Sequence, residues 1–463
     1  MKSLLNHSMT YLRSFRVWAI ALIAFLLTFT VSSRALAFCG FYVAKADAKL
    51  YNQASQVAIA RSGNRTVLTM ANDYQGDVKD FAMVVPVPVI LQREQVQIVD
   101  SRIIERLDSF SAPRLVEYFD PDPCAPPIFW NRPMAAPAME SAAPGRAGHS
   151  NQALGVTVEE QFTVGEYDIL ILSARESDGL ETWLVQNGYR IPQGARELLR
   201  PYIRQRMKFF VAKVNLEEYE NSSYQALRPL QMTYESPRFM LPLRLGMVNA
   251  DSSQDLLVYI LSPEGQAEVS NYRTVKVPSD AEIPVYVKDE FSDFYKAIFQ
   301  TSYTREGRNV AFLEYAWDMG SCDPCSAEPL SPEELRQAGV FWTRPEMPNT
   351  MPNNVFITRL HVRYTRDKFP EDLIFQQTNN RTLFQGRYIL RHPYTGEMAC
   401  EAGRQYRRSL RQRFEQEAQT LARLTGWNIR HIRDKLPQIR AEQFPALPLV
   451  AQLQQLIGRV MER

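Results

Sequence analysis

Residues 56–70 of this 463-residue chain read QVAIARSGNRTVLTM, and this stretch predicts a β-hairpin. Val57 and Ile59 belong to an alternating first strand, and Thr66–Met70 is a β-branched second strand. Between the strands lies Ser-Gly-Asn, a turn sequence, because glycine and asparagine accept the positive φ of tight turns. The next apolar run, residues 81–88 (FAMVVPVP), carries two prolines that cannot donate to a sheet ladder. We therefore expect the third strand to lie at a sheet edge or to end there.

Farther along the chain, helical signals alternate with strand signals. Ser331, Pro332 and Glu334 form a capping box, which predicts the start of a helix. An apolar stripe at spacings of four and three runs from Tyr406 to Leu421 and predicts a C-terminal helical region. These patterns predict an α+β fold with antiparallel, sandwich-like sheets and helices in insertions and at the C-terminus.

One later strand carries polar residues on a single face. Residues 356–365 alternate, with apolar side chains on one face and Arg359, His361 and Arg363 on the other. This pattern is typical of a half-buried strand. We considered His361 and His392 as zinc ligands, but neither has a partner at metal-ligand spacing. We expect hydrogen-bonded or solvated histidines, no metal site and no cofactor.

Composition shifts predict the domain organisation. We expect a β-rich N-terminal domain over residues 38–133 and a Pro/Ala-rich linker or loop over 134–153. A second α+β domain is expected over residues 154–400, followed by a basic helical region over 401–463. Hydrophobic residues make up 45% and charged residues 22% of the chain, and the net charge is +2. A charge so near zero gives no reason to expect a nucleic-acid partner.

The N-terminus reads as a secretory leader. Basic residues precede an apolar run from Val17 to Val31, and Ala35-Leu36-Ala37 provides small residues for cleavage near Ala37. We therefore expect export to the periplasm, the cell surface or the medium. An uncleaved signal anchor that tethers the chain to the membrane is the alternative. After residue 37 no apolar run is long enough to span a bilayer.

Export makes the five cysteines candidates for disulfides. Cys322 and Cys325 are separated by two residues, and a local structural disulfide between them is expected. For the other three we favour Cys39 with Cys124, which leaves Cys400, although spacing does not establish connectivity. A redox-active Cys322–Cys325 pair is the alternative, but the helix N-terminus and βαβ context that such sites need are not evident.

Several longer motifs carry a family resemblance. They are residues 39–50 (CGFYVAKADAKL), 66–76 (TVLTMANDYQG) and 81–88, together with Trp317-Asp318-Met319-Gly320 ahead of Cys322–Cys325. The chain resembles an uncharacterised family of exported bacterial proteins, known as domain of unknown function 2330. The resemblance runs from Cys39 to about Cys400 and implies export and a bacterial source. It implies no activity and no site residues.

The function expected from the sequence is a non-enzymatic binding or structural module of the cell envelope. Its partner would be an envelope polymer or another exported protein. The alternative is an extracytoplasmic thiol-disulfide oxidoreductase that uses Cys322 and Cys325. A weaker option is anion or polysaccharide binding by the basic tail, whose Lys and Arg residues outnumber its acids. The sequence contains no phosphate-binding loop, dinucleotide fingerprint, nucleophile elbow or zinc-protease motif.

Overall fold

The computed structural model describes residues 41–42, 51–52, 55–71, 74–75, 82–125, 156–187, 194–221, 227–249, 253–321, 328–343 and 354–437. The strands are β1 (Phe41–Tyr42), β2 (Tyr51–Asn52), β3 (Ser55–Ser62), β4 (Arg65–Ala71), β5 (Tyr74–Gln75), β6 (Ala82–Val87), β7 (Val96–Ile98), β8 (Arg114–Phe119), β9 (Val156–Val164), β10 (Tyr167–Ala174), β11 (Lys208–Val214), β12 (Leu230–Glu235), β13 (Met240–Leu241), β14 (Gln254–Ser262), β15 (Ala267–Val269), β16 (Arg273–Lys276), β17 (Ala281–Ile283), β18 (Val310–Asp318), β19 (Phe356–Tyr364), β20 (Leu373–Gln377), β21 (Phe384–Gln385) and β22 (Arg387–His392). The α-helices are α1 (Arg102–Ser111), α2 (Ser177–Gln186), α3 (Ala195–Arg204), α4 (Leu216–Asn221), α5 (Phe291–Arg305), α6 (Pro332–Gln337), α7 (Glu401–Thr425) and α8 (Ile429–Asp434). Short 3₁₀ segments occupy Arg93–Gln95, Arg244–Asn249 and Val285–Glu290.

The chain divides into two compact units, each built from three separate segments. Unit 1 comprises Met1–Ser111, Ala143–Val275 and Arg308–Phe384, and unit 2 comprises Ala112–Ala142, Lys276–Gly307 and Gln385–Arg463. The sequence led us to expect consecutive domains instead, over residues 38–133 and 154–400. The division differs because β3, from the first of these stretches, pairs with β14, from the second. The expected linker, residues 134–153, lies outside the described residues.

The predicted hairpin lies at the centre of a nine-stranded sheet in unit 1. Strands β3 and β4 pair antiparallel, and Gly63 supplies the positive φ of their turn. The main path of the sheet runs β16-β18-β19-β14-β3-β4-β12-β7. From β18 to β7 neighbouring strands are antiparallel except β14 and β3, which are parallel. The hairpin is therefore confirmed, and it joins strands from both halves of the sequence.

A five-stranded sheet of unit 1 follows the order β1-β6-β11-β10-β9. Strand β6 pairs with β11 along its whole length, from Ala82 to Val87. On its other side the described part of β1 pairs only with Met83 and Val84. Pro86 lies one residue before the end of β6, and Pro88 follows the strand. Strand β6 has a neighbour on each side and is not an edge strand, but it ends at the prolines, as the second part of the expectation states.

The two sheets of unit 1 pack face to face around one apolar core. Ile59 and Val258 of the nine-stranded sheet join Val85, Ile169 and Phe210 of the five-stranded sheet in this core. Successive side chains of a strand point to opposite faces, and here the side chains on the outer face of each sheet are apolar as well. Helices α1 and α6 pack on the outer face of the first sheet, and α2 and α3 on that of the second. The sandwich-like α+β fold that the sequence predicted is confirmed.

Unit 2 is built on a three-stranded sheet of order β17-β22-β8. Both pairings are parallel, with Ala281 opposite Tyr388 and Tyr388 opposite Leu115. Helices α5, α7 and α8 bury their apolar faces against it, as Phe294 and Leu421 illustrate. Helix α7 is 25 residues long and confirms the predicted C-terminal helical region. Parallel strands need long crossover connections, which is why the three strands come from distant parts of the chain.

The capping box predicted at residues 331–334 is present in unit 1. Helix α6 begins at Pro332, and the Ser331 hydroxyl accepts a hydrogen bond from the Glu334 N–H at 3.2 Å. The Glu334 carboxylate in turn accepts from the Ser331 N–H at 2.7 Å. Helix α2 begins at Ser177, and Asp178 lies in its first turn.

Candidate functional site

The structure describes one of the cysteine pairs. The Sγ of Cys124 is bonded to that of Cys400 at 2.13 Å, with 5.9 Å between their Cα atoms. The Cys39–Cys124 pairing favoured from the sequence is therefore replaced by a pairing across 276 residues. Cys39, Cys322 and Cys325 lie outside the described residues, and the expected Cys322–Cys325 disulfide stays a prediction.

This disulfide joins the chain just beyond the carboxyl ends of two parallel strands. Strand β8 ends at Phe119 and β22 ends at His392, and these residues lie opposite each other. Cys400 is also the N-cap of α7, because its Sγ accepts a hydrogen bond from the Gly403 N–H at 3.2 Å. The disulfide therefore holds together strands β8 and β22 and the start of the long helix.

A charged network crosses the three adjacent strands β14, β19 and β18 on the α1 side of the nine-stranded sheet. Glu314 of β18 has no exposed surface and accepts a hydrogen bond from Arg359 Nε at 2.6 Å. Its second oxygen lies 2.8 Å from His361 Nδ1. Arg359 is 5% exposed and also donates to Asp108 Oδ1 of α1 at 2.7 Å. The inner part of the network thus satisfies each charge with an opposite charge.

The outer part of this network is partly exposed. His361 Nε2 lies 3.2 Å from Asp255 Oδ1, and Arg363 donates to both Asp255 oxygens at 2.8 Å. Strand β19 has the polar face that the sequence predicted. The side chains of that face form ion pairs and are not simply exposed to water. Both ring nitrogens of His361 are engaged by carboxylates. Within the described ranges, no group of three or more potential ligands is placed to hold a metal ion.

The network shifts the pKa values of its members. Burial opposes the charge on the His361 ring, but Glu314 and Asp255 outweigh it and raise the pKa of His361 to about 8. Burial alone would raise the pKa of the Asp255 carboxyl. His361 and Arg363 outweigh this effect and hold that pKa well below the usual range. His361 is therefore protonated at neutral pH and acts as a buried cation.

We expect the stability of unit 1 to fall as the pH rises through about 8. The pKa of His361 is higher in the folded chain than the value of about 6.5 in an unfolded chain. Its contribution is therefore complete below pH 6.5 and is lost above pH 8, a change of about 2 kcal/mol. Urea unfolding of the wild type at pH 6 and pH 9, followed by hydrogen exchange at β14 and β19 to report on unit 1, measures this difference.

Two histidine variants test the assignment of that pH dependence. His361→Gln should remove the loss between pH 6 and pH 9, whereas His431→Gln, at an exposed histidine of α8, should leave it in place. An unchanged pH dependence in His361→Gln would contradict the assignment.

His392 lies in a second, smaller cluster in unit 2. Its Nε2 is 2.7 Å from Glu117 Oε2, and its ring stacks on Phe119 with 4.5 Å between centroids. Lys288 Nζ contacts the other Glu117 oxygen at 2.7 Å. His392 is thus a hydrogen-bonded histidine near the surface, as the sequence suggested.

Four of the nine Lys and Arg residues at positions 401–437 form ion pairs with nearby acids. Arg404 pairs with Glu401 in its own helix, and Arg433 pairs with Glu415. Other pairs reach outside the helix, and they are Arg413 with Asp120 and Lys435 with Glu290. The positive electrostatic potential of this region is therefore weaker than its sequence alone indicates. This disfavours binding of an anionic polymer through charge alone.

A cleft in unit 2 lies between strand β17 and helix α7. Its volume is about 510 Å³, within the range of small-molecule sites. Residues 279–282 line one side, and the other side presents one face of α7, through residues 413, 416, 417, 420 and 423. The lining consists almost entirely of hydroxyl, amide, carboxylate and guanidinium groups. Such a surface favours a ligand that forms many hydrogen bonds.

The charges around this cleft occur in pairs. Asp280 accepts from Arg387 Nε at 2.6 Å, and Glu282 accepts from Arg391 at 2.7 and 3.0 Å. On the helix side, Arg413 donates to Asp120 at 2.6 Å. These pairs hold the walls of the cleft, and the exposed Arg423 adds a positive charge on the helix side.

Glu417 is the most buried charged group of this cleft. Its side chain is 4% exposed, and its Oε1 has no hydrogen-bond partner within the described structure. Arg413 Nε lies 3.3 Å from that oxygen without hydrogen-bond geometry. Burial, opposed by Arg413 and aided by Glu282 and Asp120, raises the pKa of Glu417 to about 7. Glu417 Oε1 and Arg413 Nε thus form a buried i,i+4 ion pair whose hydrogen bond is not aligned.

Sequence reasoning missed the two buried acids, Glu314 and Glu417. Glu314 is the one charged residue within the apolar run VAFLEYAW, residues 310–317. An acid inside such a strand indicates that a positively charged group is buried beside it. Glu417 lies one residue before Ala418, which belongs to the apolar stripe of the C-terminal helix. Their partners, Arg359 and Arg413, were visible only as surface arginines.

The described helices include none that is long and apolar enough to cross a membrane. No curated protein and no solved structure matches the chain. A family model does match, over residues 33–376, about three quarters of the chain, and its description is "Uncharacterized protein conserved in bacteria (DUF2330)". The match ends before α7, so the helix side of the cleft lies beyond it. With most of its length covered, the chain belongs to the DUF2330 family of bacterial proteins.

Proposed function

We propose that this protein works outside the cytoplasm, as a non-enzymatic binding or structural module of the cell envelope. The observation that carries this proposal is the Cys124–Cys400 disulfide. Disulfides of this kind form and persist in oxidising compartments and are rare in the cytosol. The leader read from residues 1–37 supplies the route of export.

The arrangement of the titratable groups supports a binding or structural role. The buried charges of unit 1 neutralise one another, because the Glu314 carboxylate forms hydrogen bonds with both Arg359 and His361. Both nitrogens of His361 are engaged, so the ring has no free position for proton transfer. In unit 2, by contrast, polar side chains line both walls of a cleft and offer hydrogen-bonding groups to a ligand. These features favour recognition over catalysis.

Expression of the full chain in a bacterial host tests the proposal. We expect mass spectrometry of the extracytoplasmic fraction to find a mature chain that begins at Phe38 and contains a Cys124–Cys400 linked peptide. Blocking free thiols before lysis preserves the native pairing. The control is the same chain expressed without residues 1–37, which should stay in the cytosol with reduced thiols.

Two outcomes decide among the alternatives. Recovery of the uncleaved chain in the membrane fraction would replace export by tethering through a signal anchor. Recovery of the full-length chain in the cytosol, with Cys124 and Cys400 reduced, would contradict the proposal. The same digest reports whether Cys322 and Cys325 form a disulfide. The oxidoreductase alternative requires that this disulfide form and break reversibly.

A further inference from the structure

We propose that a single proton controls how tightly helix α7 packs against strand β17. The contact is tight when a buried cluster of charged side chains holds this proton, and it loosens when the proton is lost. Every member of the cluster belongs to unit 2. The switch goes beyond the proposed function, because it does not depend on what the protein binds or where it works.

The charge cluster contains three carboxylates and two guanidinium groups from four parts of unit 2. Its members are Asp120, just beyond β8, Glu282 of β17, Arg391 of β22, and Arg413 and Glu417 of α7. Arg413 donates to Asp120 at 2.6 Å and lies 3.3 Å from Glu417. Arg391 lies 2.7 Å from Glu282 and 3.9 Å from Asp120. With every group ionised, the cluster therefore carries one negative charge in excess.

Burial and hydrogen bonding place this excess charge on Glu417. The side chains of Asp120 and Glu417 are 9% and 4% exposed, whereas that of Glu282 is 39% exposed. Asp120 accepts hydrogen bonds from both Arg413 and Tyr406. Glu417 Oε1 has no hydrogen bond to the described residues, because Arg413 Nε faces it without alignment. Glu417 is therefore the member whose ionisation is least favourable, and the proton binds there.

The other charges near Glu417 do not supply the missing positive partner. Two neighbouring acids have guanidinium partners of their own, and they are Asp280 of β17 with Arg387 and Glu415 of α7 with Arg433 of α8. Arg423 lies on the same wall of the cleft, and Arg305 of α5 donates to its carbonyl. Both of these arginines are exposed, so water and salt screen their charges from the buried carboxyl.

The pKa of Glu417 agrees with this count of charges. Burial raises that pKa to about 7 in the folded chain, against an ordinary value of 4.5. When α7 loosens, water reaches the carboxyl and its pKa returns toward the ordinary value. The tight contact thus binds the proton more strongly, so it is favoured at low pH. This preference is lost as the pH rises from about 4.5 to about 7.

The Cys124–Cys400 disulfide limits where α7 can loosen. Cys400 is the N-cap of the helix, so the bond holds the start of α7 in place. Glu417 lies more than four turns farther along, where residues 413–423 face residues 279–282 across the cleft. We therefore expect the proton to change the protection of these two stretches.

Hydrogen exchange of the oxidised protein at pH 5.5 and pH 8.0 tests the proposal. Protection factors remove the intrinsic pH dependence of exchange. In the wild type we expect protection of residues 413–423 and 279–282 to fall about thirtyfold between the two pH values, as the two pKa values of Glu417 require. Glu417→Gln keeps the size of the side chain and resembles the protonated carboxyl. It should keep the high protection at both pH values.

Glu415→Gln is the matched control. It makes the same change two residues earlier in α7, at an acid that pairs with Arg433. The hydrogen bond from Arg433 lowers the pKa of Glu415, so this group stays ionised at both pH values. Glu415→Gln should therefore show the wild-type fall in protection. Both variants retain His361, so any effect of unit 1 cancels in the comparison.

Infrared difference spectroscopy of the wild type adds a measurement that needs no variant. We expect the band of one weakly hydrogen-bonded carboxylic acid at pH 5.5, and its loss at pH 8.0. Equal protection of α7 at the two pH values in the wild type would overturn the proposal. So would a fall that persists in Glu417→Gln, or a spectrum without that band. Export and formation of the disulfide are measured in cells, so these results leave the proposed function untouched.

Discussion

Replacement of Cys400 by serine is expected to lower the free energy of unfolding of unit 2 by about 2–5 kcal/mol. The disulfide closes a loop of 276 residues, and a longer loop restricts the unfolded chain more. Serine is the best N-cap residue of similar size, so Cys400→Ser keeps a side-chain acceptor for the Gly403 N–H. The loss therefore reports the disulfide rather than the helix cap.

Cys39→Ser is the matched control for this prediction. Guanidinium unfolding followed by hydrogen exchange at β22 and α7 separates unit 2 from unit 1. If Cys124 bonds Cys400, the Cys39 variant should leave unit 2 at wild-type stability. Destabilisation by Cys39→Ser, with no change in Cys400→Ser, would contradict the observed pairing and restore the one favoured from sequence.

Glu314→Gln is expected to destabilise unit 1 by about 3–5 kcal/mol, the usual cost of breaking a buried ion pair. The variant keeps the size of the side chain but removes its charge. Arg359 and the protonated His361 then remain buried with one carboxylate fewer. Asp108 still contacts Arg359, but it also accepts a hydrogen bond from Tyr259. Asp255 still contacts His361, but it also accepts one from Arg363. Denaturant unfolding measured by circular dichroism gives the difference.

The same substitution at Glu333 provides the comparison. Glu333 pairs with Arg336 on the exposed side of α6, and its side chain is 62% exposed. An exposed ion pair of this kind contributes little, so Glu333→Gln should change stability by less than about 0.5 kcal/mol. Equal effects of the two variants would show that the network in the sheet does not stabilise the fold.

Local features of this fold were predictable because neighbouring residues determine them. The β3–β4 hairpin depends on a turn at Gly63 and on alternation within one stretch of 15 residues. The start of α6 depends on Ser331 and Glu334 alone. The two-unit division was not predictable, because the parallel β3–β14 and β8–β22 pairs join residues far apart. No local pattern specifies which distant strands meet.

The candidate site was predictable only in part for the same reason. The alternation of β19 placed Arg359, His361 and Arg363 on one face, and the structure confirms that face. Their carboxylate partners come from β14, β18 and α1, and only the sheet brings these together. Likewise, the cleft needs both β17 and α7, which are separated by more than 100 residues.

The segmented make-up of unit 2 sets the order in which it is completed during synthesis. Its last segment begins at Gln385, so strand β8 emerges long before its neighbour β22 exists. On the proposed export route the chain crosses the membrane N-terminus first, so Cys39 and Cys124 reach the oxidising compartment before Cys400 does. A transient, non-native bond between the first two thiols is the expected trap, and escape from it requires thiol exchange once the final helix has crossed the membrane.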